Sequence, residues 1–332
     1  MSRRPSATQR VQGAEALPAH LRGGVVAIGN FDGVHRGHQA VLERALEEAR
    51  RLDAPALALT FEPHPRELFR PDQPVFRLTP APARARLLGL LGFDAVVEQP
   101  FTQAFSQCSP EAFVDDILVG AMGIRHVVTG FDFHFGEKRR GGPAFLMEAG
   151  ERRGFGVSLV DAFRDEGAHV VSSSRIRDLL EEGEVAEAAG LLGYRYFVEG
   201  EVVGGKKLGR TLGYPTANMV LPDCNGLRHG IYAVRLTRGD GAVHDGVASF
   251  GRRPTVDEAG APLLETYVFD FSVDLYGENC RVSFFGFLRG EEKFDGLDAL
   301  VAQMRRDEAE ARALLAGVSP IGELDAATAF AG

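Results

Sequence analysis

The sequence predicts two domains of different class: an N-terminal α/β domain with a doubly wound, Rossmann-like parallel sheet, and a C-terminal antiparallel β-barrel with a closing helix. From Val25 to about Asp161, short apolar runs alternate with helical patterns, which is typical of a doubly wound sheet. From Tyr196 onward, strand-like runs are separated by glycine-rich turns, and only Gly296 to Leu315 has the pattern of a long helix. A length of 332 residues also favours two domains.

The change of pattern around Gly193 gives the expected domain limits. We expect a flexible tail over residues 1–22, the α/β domain over 23–190, the barrel domain over 195–318 and a second tail over 319–332. Met1 to Gly13 contains arginines and serine but no apolar core of a secretory signal.

Composition restricts the partners. The chain has 37 basic and 46 acidic residues, a net charge of −9, which argues against broad nucleic-acid binding. No apolar run approaches membrane-spanning length. The three cysteines are widely and irregularly spaced, so neither a disulfide framework nor a zinc motif is indicated. We therefore expect a cytoplasmic protein, monomeric or transiently homo-oligomeric, that binds neither nucleic acid nor membrane.

A glycine-rich turn follows the first predicted strand, Val25 to Ile28. The strand is short and apolar, as expected for a buried parallel strand. Gly29 and Gly33 allow positive φ and a close approach of the backbone to a ligand. A nucleotide site commonly follows such a turn.

His35 and His38 stand three residues apart at the start of an amphipathic run, Gln39 to Leu52, that predicts a helix. Both imidazoles would then face one ligand. Together with loop amides and a helix N-terminus, they suit phosphate oxygens whose charge grows during attack at an α-phosphate. The pattern predicts nucleotidyl transfer; half of a metal site and an ordinary strand–turn–helix corner are the alternatives.

Two more polar segments follow predicted strands of the same domain. TFEPHPR, Thr60 to Arg66, has prolines that fix φ on both sides of His64. GFDFHFG, Gly130 to Gly136, presents Asp132 among three phenylalanines. A turn and a set of core aromatics are the ordinary explanations of these segments.

The segment SSSRIR, Ser172 to Arg177, precedes the helical run DLLEEGEVAEAAGLL. Serines are common N-caps. Two arginines in that turn are unusual, because the positive N-terminal end of a helix dipole does not stabilise cations. A triphosphate bound there would gain from both arginines and from the helix dipole.

The second domain has its own candidate site. GGKKLGRTLGYPTAN, Gly204 to Asn218, is a basic glycine-rich stretch in which Thr216 and Asn218 share one face of an extended segment. Their neutral oxygens suit a hard cation when a nucleotide supplies further oxygens; a glycine-rich hairpin explains only the first part. Glu265 lies on an otherwise apolar strand face, which is costly unless the carboxylate is bound or functional. A surface glutamate is the alternative.

The segment GNFDGVHRGH, Gly29 to His38, resembles the HxGH-type adenylyltransferase signature in the form found in bacterial bifunctional riboflavin kinase/FAD synthetases. TFEPHPR, GFDFHFG and SSSRIR are similar to further motifs of that family, with Ser174 where threonine is usual. The resemblance implies catalytic roles for His35, His38 and Arg175. It implies nucleotide-binding roles for Gly29, Asn30, Phe31, Asp32, Gly33, His64, Asp132, Ser172, Ser173, Ser174 and Arg177.

The barrel segment GYPTAN resembles the GxPTAN motif of riboflavin kinases, in which threonine and asparagine help to hold magnesium and ATP. Tyr214 replaces the more familiar phenylalanine or isoleucine. Glu265 matches the family glutamate that acts as general base on the 5′-hydroxyl of the flavin's ribityl chain. The resemblance implies nucleotide or flavin binding by Gly204, Gly209, Arg210, Pro215, Thr216, Asn218 and Arg289, with Thr216 and Asn218 as metal ligands.

The resemblance runs from about residue 23 to about residue 315. It implies a bifunctional enzyme that phosphorylates riboflavin to FMN with ATP and Mg²⁺, and then adenylylates FMN to FAD with release of pyrophosphate. Two alternatives stay open: another HxGH-type adenylyltransferase fused to an unrelated barrel, and a non-catalytic flavin-responsive regulator.

Overall fold

The structure, a computed structural model, describes residues 8–204, 214–252 and 261–330. The chain forms two compact units that divide between Ser173 and Ser174. The residues between 174 and 192 therefore group with the second unit, whereas the sequence pattern assigned residues up to 190 to the first domain.

The first unit is built on a sheet in which neighbouring strands are parallel. Its strands are β1 Gln9–Gln12, β2 Val25–Ile28, β3 Ala56–Glu62, β4 Ala95–Pro100, β5 His126–Gly130 and β6 Gly156–Val160. Their order across the sheet is β1-β4-β3-β2-β5-β6. The order reverses between β2 and β5, so the ligand crevice of such a fold lies at the carboxyl ends of these two strands. The predicted doubly wound α/β class is confirmed.

Helices connect these strands. They are α1 Arg36–Leu52, α2 Pro65–Phe69, α3 Ala81–Leu91, α4 Gln103–Ser106, α5 Pro110–Ala112 with its π-type continuation Phe113–Ala121, and α6 Pro143–Arg153. Helix α1 begins at Arg36, before the expected Gln39, because the His35 side chain caps it. The first buried residue of α1 is Val41, so the apolar periodicity could not identify the first turn of the helix.

The N-terminal residues from Gln9 onward are part of the fold, so the prediction of a flexible tail over residues 1–22 is wrong for this stretch. Strand β1 pairs with β4. Val11, Ala14 and Leu17 are each no more than 6% exposed and pack in the core of the unit. The prediction failed because single apolar residues separated by polar ones give too sparse a pattern to identify a strand.

The second unit is an antiparallel sheet that curls into a nearly closed barrel. Its strands are β7 Phe197–Glu201, β8 Thr216–Val220, β9 Gly230–Thr237, β10 Val243–Arg252, β11 Pro262–Val268 and β12 Asn279–Arg289. Their order is β7-β12-β9-β10-β11-β8, and a bridge between Val203 and Asn218 joins the two edges. Tyr232, Ala248 and Leu264 are fully buried inside. The predicted antiparallel barrel is confirmed.

The barrel is accompanied by the helices α7 Ser173–Glu182, α8 Val185–Leu192 and α9 Leu297–Ala316. The single helical run expected before residue 192 is interrupted at Gly183, which has a φ of 86°. Helix α9 is the predicted closing helix and packs Ala311 and Leu315 against Phe269 and Phe285. Its first residue, Leu297, is 59% exposed.

The C-terminal residues are also ordered, so the prediction of a tail over 319–332 is wrong for the described part. The helical turns Glu323–Asp325 and Ala326–Phe330 follow α9. Asp325 is 0% exposed and forms an ion pair with Arg195. A buried ion pair of this kind cannot be anticipated from a short polar stretch at the end of a sequence. Within the three described ranges, no helix is long and apolar enough to cross a membrane.

Candidate active sites

The loop after β2 has an unusual backbone. Phe31, Gly33 and Val34 have φ values of 49°, 88° and 38°, in the left-handed region. Non-glycine residues in that region cost on the order of 1 kcal/mol or more each and persist only where neighbouring structure holds them. Gly29 is required for a different reason, because a Cβ there would lie 2.9 Å from the Phe31 ring. The loop is therefore strained and tightly folded.

His35 and His38 meet at the end of this loop. The Nδ1 atom of His35 accepts a hydrogen bond of 3.2 Å from the backbone N–H of His38, which caps α1. The two imidazole rings stack with centroids 3.6 Å apart, and the Phe31 ring meets His38 edge-on at 5.5 Å. Because Nδ1 of His35 accepts, the proton of its neutral ring lies on Nε2. The structure places the two imidazoles side by side at the start of α1, and the expectation that both face one ligand stays a prediction.

The environment of His38 favours its neutral form. Burial, the neighbouring His35 and the Arg84 guanidinium hold the pKa of His38 well below its ordinary value. Its Nδ1 atom is buried and has no hydrogen-bond partner among the described residues. A neutral imidazole carries one N–H donor. That donor can form a hydrogen bond with an anionic ligand although the ring itself is uncharged.

A segment that sequence reasoning missed supports the loop. Thr79 donates its backbone N–H to Oδ1 of Asp32 at 2.9 Å, and its hydroxyl accepts the N–H of Gly33 at 2.8 Å. Asp32 and Thr79 are each 2% exposed. Asp32 therefore has a structural role in fixing the loop. No sequence signal identifies Thr79, since a threonine before a proline looks like an ordinary loop residue.

Two arginines lie beside the same loop and were also missed. Arg77 donates two hydrogen bonds to Glu62, at 3.0 and 3.1 Å, and lies 3.8 Å from Asp32 Oδ1. Arg84 donates to Glu62 at 3.0 Å and to the carbonyl oxygen of Asn30 at 3.3 Å. This cluster places two guanidinium groups, both paired with carboxylates, next to a predicted phosphate site.

Other predicted residues lie at the same edge of the sheet. Strands β3 and β5 both pair with β2, so the segments after their carboxyl ends flank the loop. His64 follows β3 and caps α2, accepting the N–H of Arg66 at 3.2 Å. Asp132 follows β5 and is exposed. The positions of His64 and Asp132 are compatible with nucleotide binding, and their roles stay predictions.

The SSSRIR segment was expected to precede a helical run that begins at Asp178, but α7 already begins at Ser173, so most of the segment lies within the helix. The Ser173 hydroxyl donates to the carbonyl oxygen of Asp32 at 2.8 Å, which joins the segment to the loop. Ser172 is partly buried, whereas Ser174 is exposed. Arg175 and Arg177 are partly buried residues of the second unit, and their roles in adenylyl transfer stay predictions.

In the barrel, strand register brings the predicted kinase residues into one row. Glu265 on β11 lies opposite Asn218 on β8 and opposite Ser249 on β10. Ser249 pairs with Ile231 on β9, which pairs in turn with Arg289 on β12. Residues opposite each other share a face of the sheet. This row, Asn218–Glu265–Ser249–Ile231–Arg289, lies on the face opposite to the fully buried interior.

Asn218 is the most enclosed polar residue of the row. It is 3% exposed, and its Oδ1 atom has no hydrogen-bond partner among the described residues. An unpartnered buried oxygen is costly unless a ligand satisfies it. Thr216 lies two residues earlier on the same face and is only partly buried. The donor set fits a hard cation that also binds nucleotide oxygens.

The remaining kinase residues differ in how the structure describes them. Gly204 follows the bridge residue Val203, and Pro215 directly precedes β8. Gly209 and Arg210 lie outside the described residues. Arg289 forms a two-pronged ion pair with the buried Asp307 of α9, at 2.9 and 2.7 Å. Hydrogen bonding to Asp307 raises the pKa of Arg289 and fixes its cation.

The two halves match two families. Residues 17–175 match the family model of FAD synthetase, and residues 192–315 match that of riboflavin kinase. The chain is thus a two-domain transferase that acts on flavins. It belongs to the bifunctional riboflavin kinase/FMN adenylyltransferase family: it phosphorylates riboflavin to FMN and adenylylates FMN to FAD, with ATP as a substrate of both steps.

Relatives of that name match over nearly the whole chain. A protein of Pseudomonas fluorescens is 42% identical, covering 93% of this chain and 98% of the relative. A protein of Listeria monocytogenes is 41% identical, covering 88% and 92%. A crystal structure described as a macrolide-efflux protein from Streptococcus pneumoniae is 30% identical, with a TM-score of 0.81, and covers 92% of this chain and 99% of that chain.

Proposed function

We propose that riboflavin is phosphorylated beside the row that contains Asn218, Glu265 and Arg289, with Glu265 as the general base. The pairing of Glu265 with Asn218 carries this proposal, because it sets a carboxylate next to a buried oxygen that needs a ligand. Glu265 takes the proton of the 5′-hydroxyl while the hydroxyl oxygen attacks the γ-phosphorus of ATP and ADP leaves. Arg289, fixed by Asp307, supplies positive charge at the end of the row.

Thr216 and Asn218 are the residues that would hold Mg²⁺. Their oxygens are neutral and suit a hard cation whose charge the nucleotide balances. When bound, Mg²⁺ offsets the negative charge of the ATP phosphates. The backbone around Gly204 and Pro215, together with Gly209 and Arg210, contributes to the binding of nucleotide or flavin.

FAD formation is assigned to the His35–His38 pair in the first unit. An oxygen of the FMN phosphate attacks the α-phosphorus of ATP, and pyrophosphate leaves. The imidazole N–H groups donate to the phosphate oxygens as their charge grows, and Arg175 stabilises the departing pyrophosphate. The residues that we assign to nucleotide binding are Gly29, Asn30, Phe31, Asp32, Gly33, His64, Asp132, Ser172, Ser173, Ser174 and Arg177.

The variant His38→Ala tests this assignment. Loss of one preorganised donor typically lowers turnover by roughly a hundred- to a thousand-fold. We expect that loss in the turnover of FMN to FAD, with little change in KM and with riboflavin phosphorylation intact. The exposed His20 provides a control, and His20→Ala should leave both steps unchanged.

A purely structural role of His38 predicts something else. The variant would then melt at a lower temperature, and its loss would be spread over binding and turnover. A His38→Ala protein that melts like the parent and makes FAD at the parental rate contradicts the catalytic role.

We also propose a cytoplasmic enzyme, monomeric or transiently homo-oligomeric, whose partners are flavins and ATP rather than nucleic acid or membrane. The three cysteines stand at wide, irregular spacings that indicate no disulfide framework, which supports a reducing compartment. The net charge of −9 supports the absence of nucleic-acid binding.

A further inference from the structure

Arg84 on α3 is a buried cation that belongs to none of the nucleotide-binding motifs. Its side chain is 0% exposed, although a guanidinium loses much favourable hydration when it leaves water. Its ion-pair partner Glu62 is shared with Arg77, which also lies 3.8 Å from Asp32 and 3.7 Å from Glu67. A fully buried guanidinium beside a candidate ligand site is a candidate for a role beyond packing.

Arg84 contacts the nucleotide loop directly. One guanidinium nitrogen donates to the carbonyl oxygen of Asn30 at 3.3 Å, while another donates to Glu62 at 3.0 Å. Asn30 directly precedes Phe31, the first residue of the loop with a left-handed backbone. Arg84 thus holds the end of the loop at which the strained stretch begins.

We propose that Arg84 is a positioning residue for FAD formation: it anchors the loop through Asn30 and supplies a fixed positive charge that acts on the His35–His38 pair. This inference rests on the proposed role of that pair. A buried, preorganised charge does not have to reorient when negative charge develops on the phosphates, so it acts more strongly than an exposed one.

The same charge acts on His38. The His35 ring stacks on this imidazole at 3.6 Å and the Phe31 ring meets it edge-on, while Arg84 acts on it electrostatically. Arg84 is paired with Glu62, and the charged groups around that pair are Arg77, Asp32 and Glu67. His35 and Arg84 add to the effect of burial in lowering the pKa of His38. Arg84 therefore adds to burial, the largest cause, in favouring the neutral form of His38.

Two substitutions separate the charge of Arg84 from its size. Arg84→Gln removes the charge but keeps polar donors, and Glu62 retains its pairing with Arg77. Arg84→Lys keeps the charge. Arg86→Gln changes the same residue type on an exposed position of the same helix and serves as the control. The readouts are kcat and KM for FAD formation, kcat for riboflavin phosphorylation, and the NMR titration of His38 in the full-length chain.

We expect Arg84→Gln to lower kcat for FAD formation by about ten- to a hundred-fold, as for a group whose loss misplaces reacting atoms. Its His38 should titrate at higher pH than in the parent. Arg84→Lys should keep the parental titration of His38 and lose less kcat. Riboflavin phosphorylation should not change in either variant, and Arg86→Gln should resemble the parent throughout.

The proposal is overturned if Arg84→Gln has parental kcat, or if both variants lose kcat equally with an unchanged titration of His38. If Arg84→Gln does not fold, Arg84→Lys decides: an upward shift of the His38 titration despite the retained charge overturns the proposal, and a parental titration supports it. The titration reports on Arg84 even if His38→Ala shows that the histidine is dispensable, so the two claims can fail separately.

Discussion

Glu265 lies directly opposite Asn218 in the antiparallel pairing of β11 with β8. Asn218 is buried with an unpartnered Oδ1 atom, whereas Glu265 is only partly buried. The pairing therefore places a neutral oxygen suited to a cation beside a carboxylate suited to proton transfer. Because both residues lie within regular strands, their separation is fixed by backbone hydrogen bonds rather than by a loop.

Asn218→Ala should raise the Mg²⁺ concentration that riboflavin phosphorylation requires. The substitution removes one of the two proposed protein oxygens without altering a charge. The measurement is a Mg²⁺ titration of FMN formation. Asn279→Ala, at an exposed position that begins β12, is the control. An unchanged titration for Asn218→Ala would remove this residue from the metal site.

Asp325→Ala should destabilise the second unit strongly. Asp325 is fully buried, pairs with Arg195 and accepts the backbone N–H groups of Arg195 and Ile321 at 2.8 and 3.0 Å. Removing one partner of a buried pair typically costs about 3–5 kcal/mol. Denaturant unfolding measures the loss, and Glu323→Ala, at an exposed position, should change little. Equal stability of the two variants would mean that the C-terminal turns are dispensable.

The first unit should become less stable as the pH falls below about 6.5. The pKa values of His38 and His126 are both lowered from 6.5, mainly by burial. Below pH 6.5 the unfolded chain binds protons at these two histidines that the folded chain does not bind. The free energy of unfolding therefore decreases as the pH falls below 6.5, and it regains its full value above pH 6.5. Melting temperatures across this range check the sign.

A substitution identifies the source of that pH dependence. His126→Gln should reduce part of the pH dependence of stability, whereas His20→Gln, at an exposed position, should leave that dependence unchanged. A parent protein whose stability is constant from neutral pH down to the range where carboxylates titrate would contradict the expected linkage.

Cutting the chain at two positions should locate the domain boundary. Leu180, Val185 and Leu192 are no more than 1% exposed, and α8 packs against β12. We expect a fragment beginning at Ser174 to melt at a higher temperature than one beginning at Tyr194, and to retain riboflavin kinase activity. Equal melting temperatures would place the boundary near Gly193, as the sequence pattern suggested.

The sequence was sufficient for those parts of the fold that depend on local patterns. The apolar run Val25–Ile28 and the paired histidines identify the first site, and the alternation around Glu265 identifies a strand with a functional face. Thr79 and Arg84 could not be found in this way, because their roles depend on hydrogen bonds to residues distant in the chain. The ordered termini were missed for a related reason: Val11 and Asp325 are buried by partners that local periodicity does not reveal.

The most direct test of the central claim, two reactions at two independent sites, is a mixing experiment with riboflavin, ATP and Mg²⁺. Glu265→Gln alone should form no FMN but should convert added FMN to FAD, whereas His38→Ala alone should accumulate FMN. An equimolar mixture of the two variants should make FAD from riboflavin at a rate near that of the parent at half the concentration. If Glu265→Gln alone makes FAD from riboflavin, or if the mixture makes no more FAD than His38→Ala alone, the assignment of the two sites is wrong.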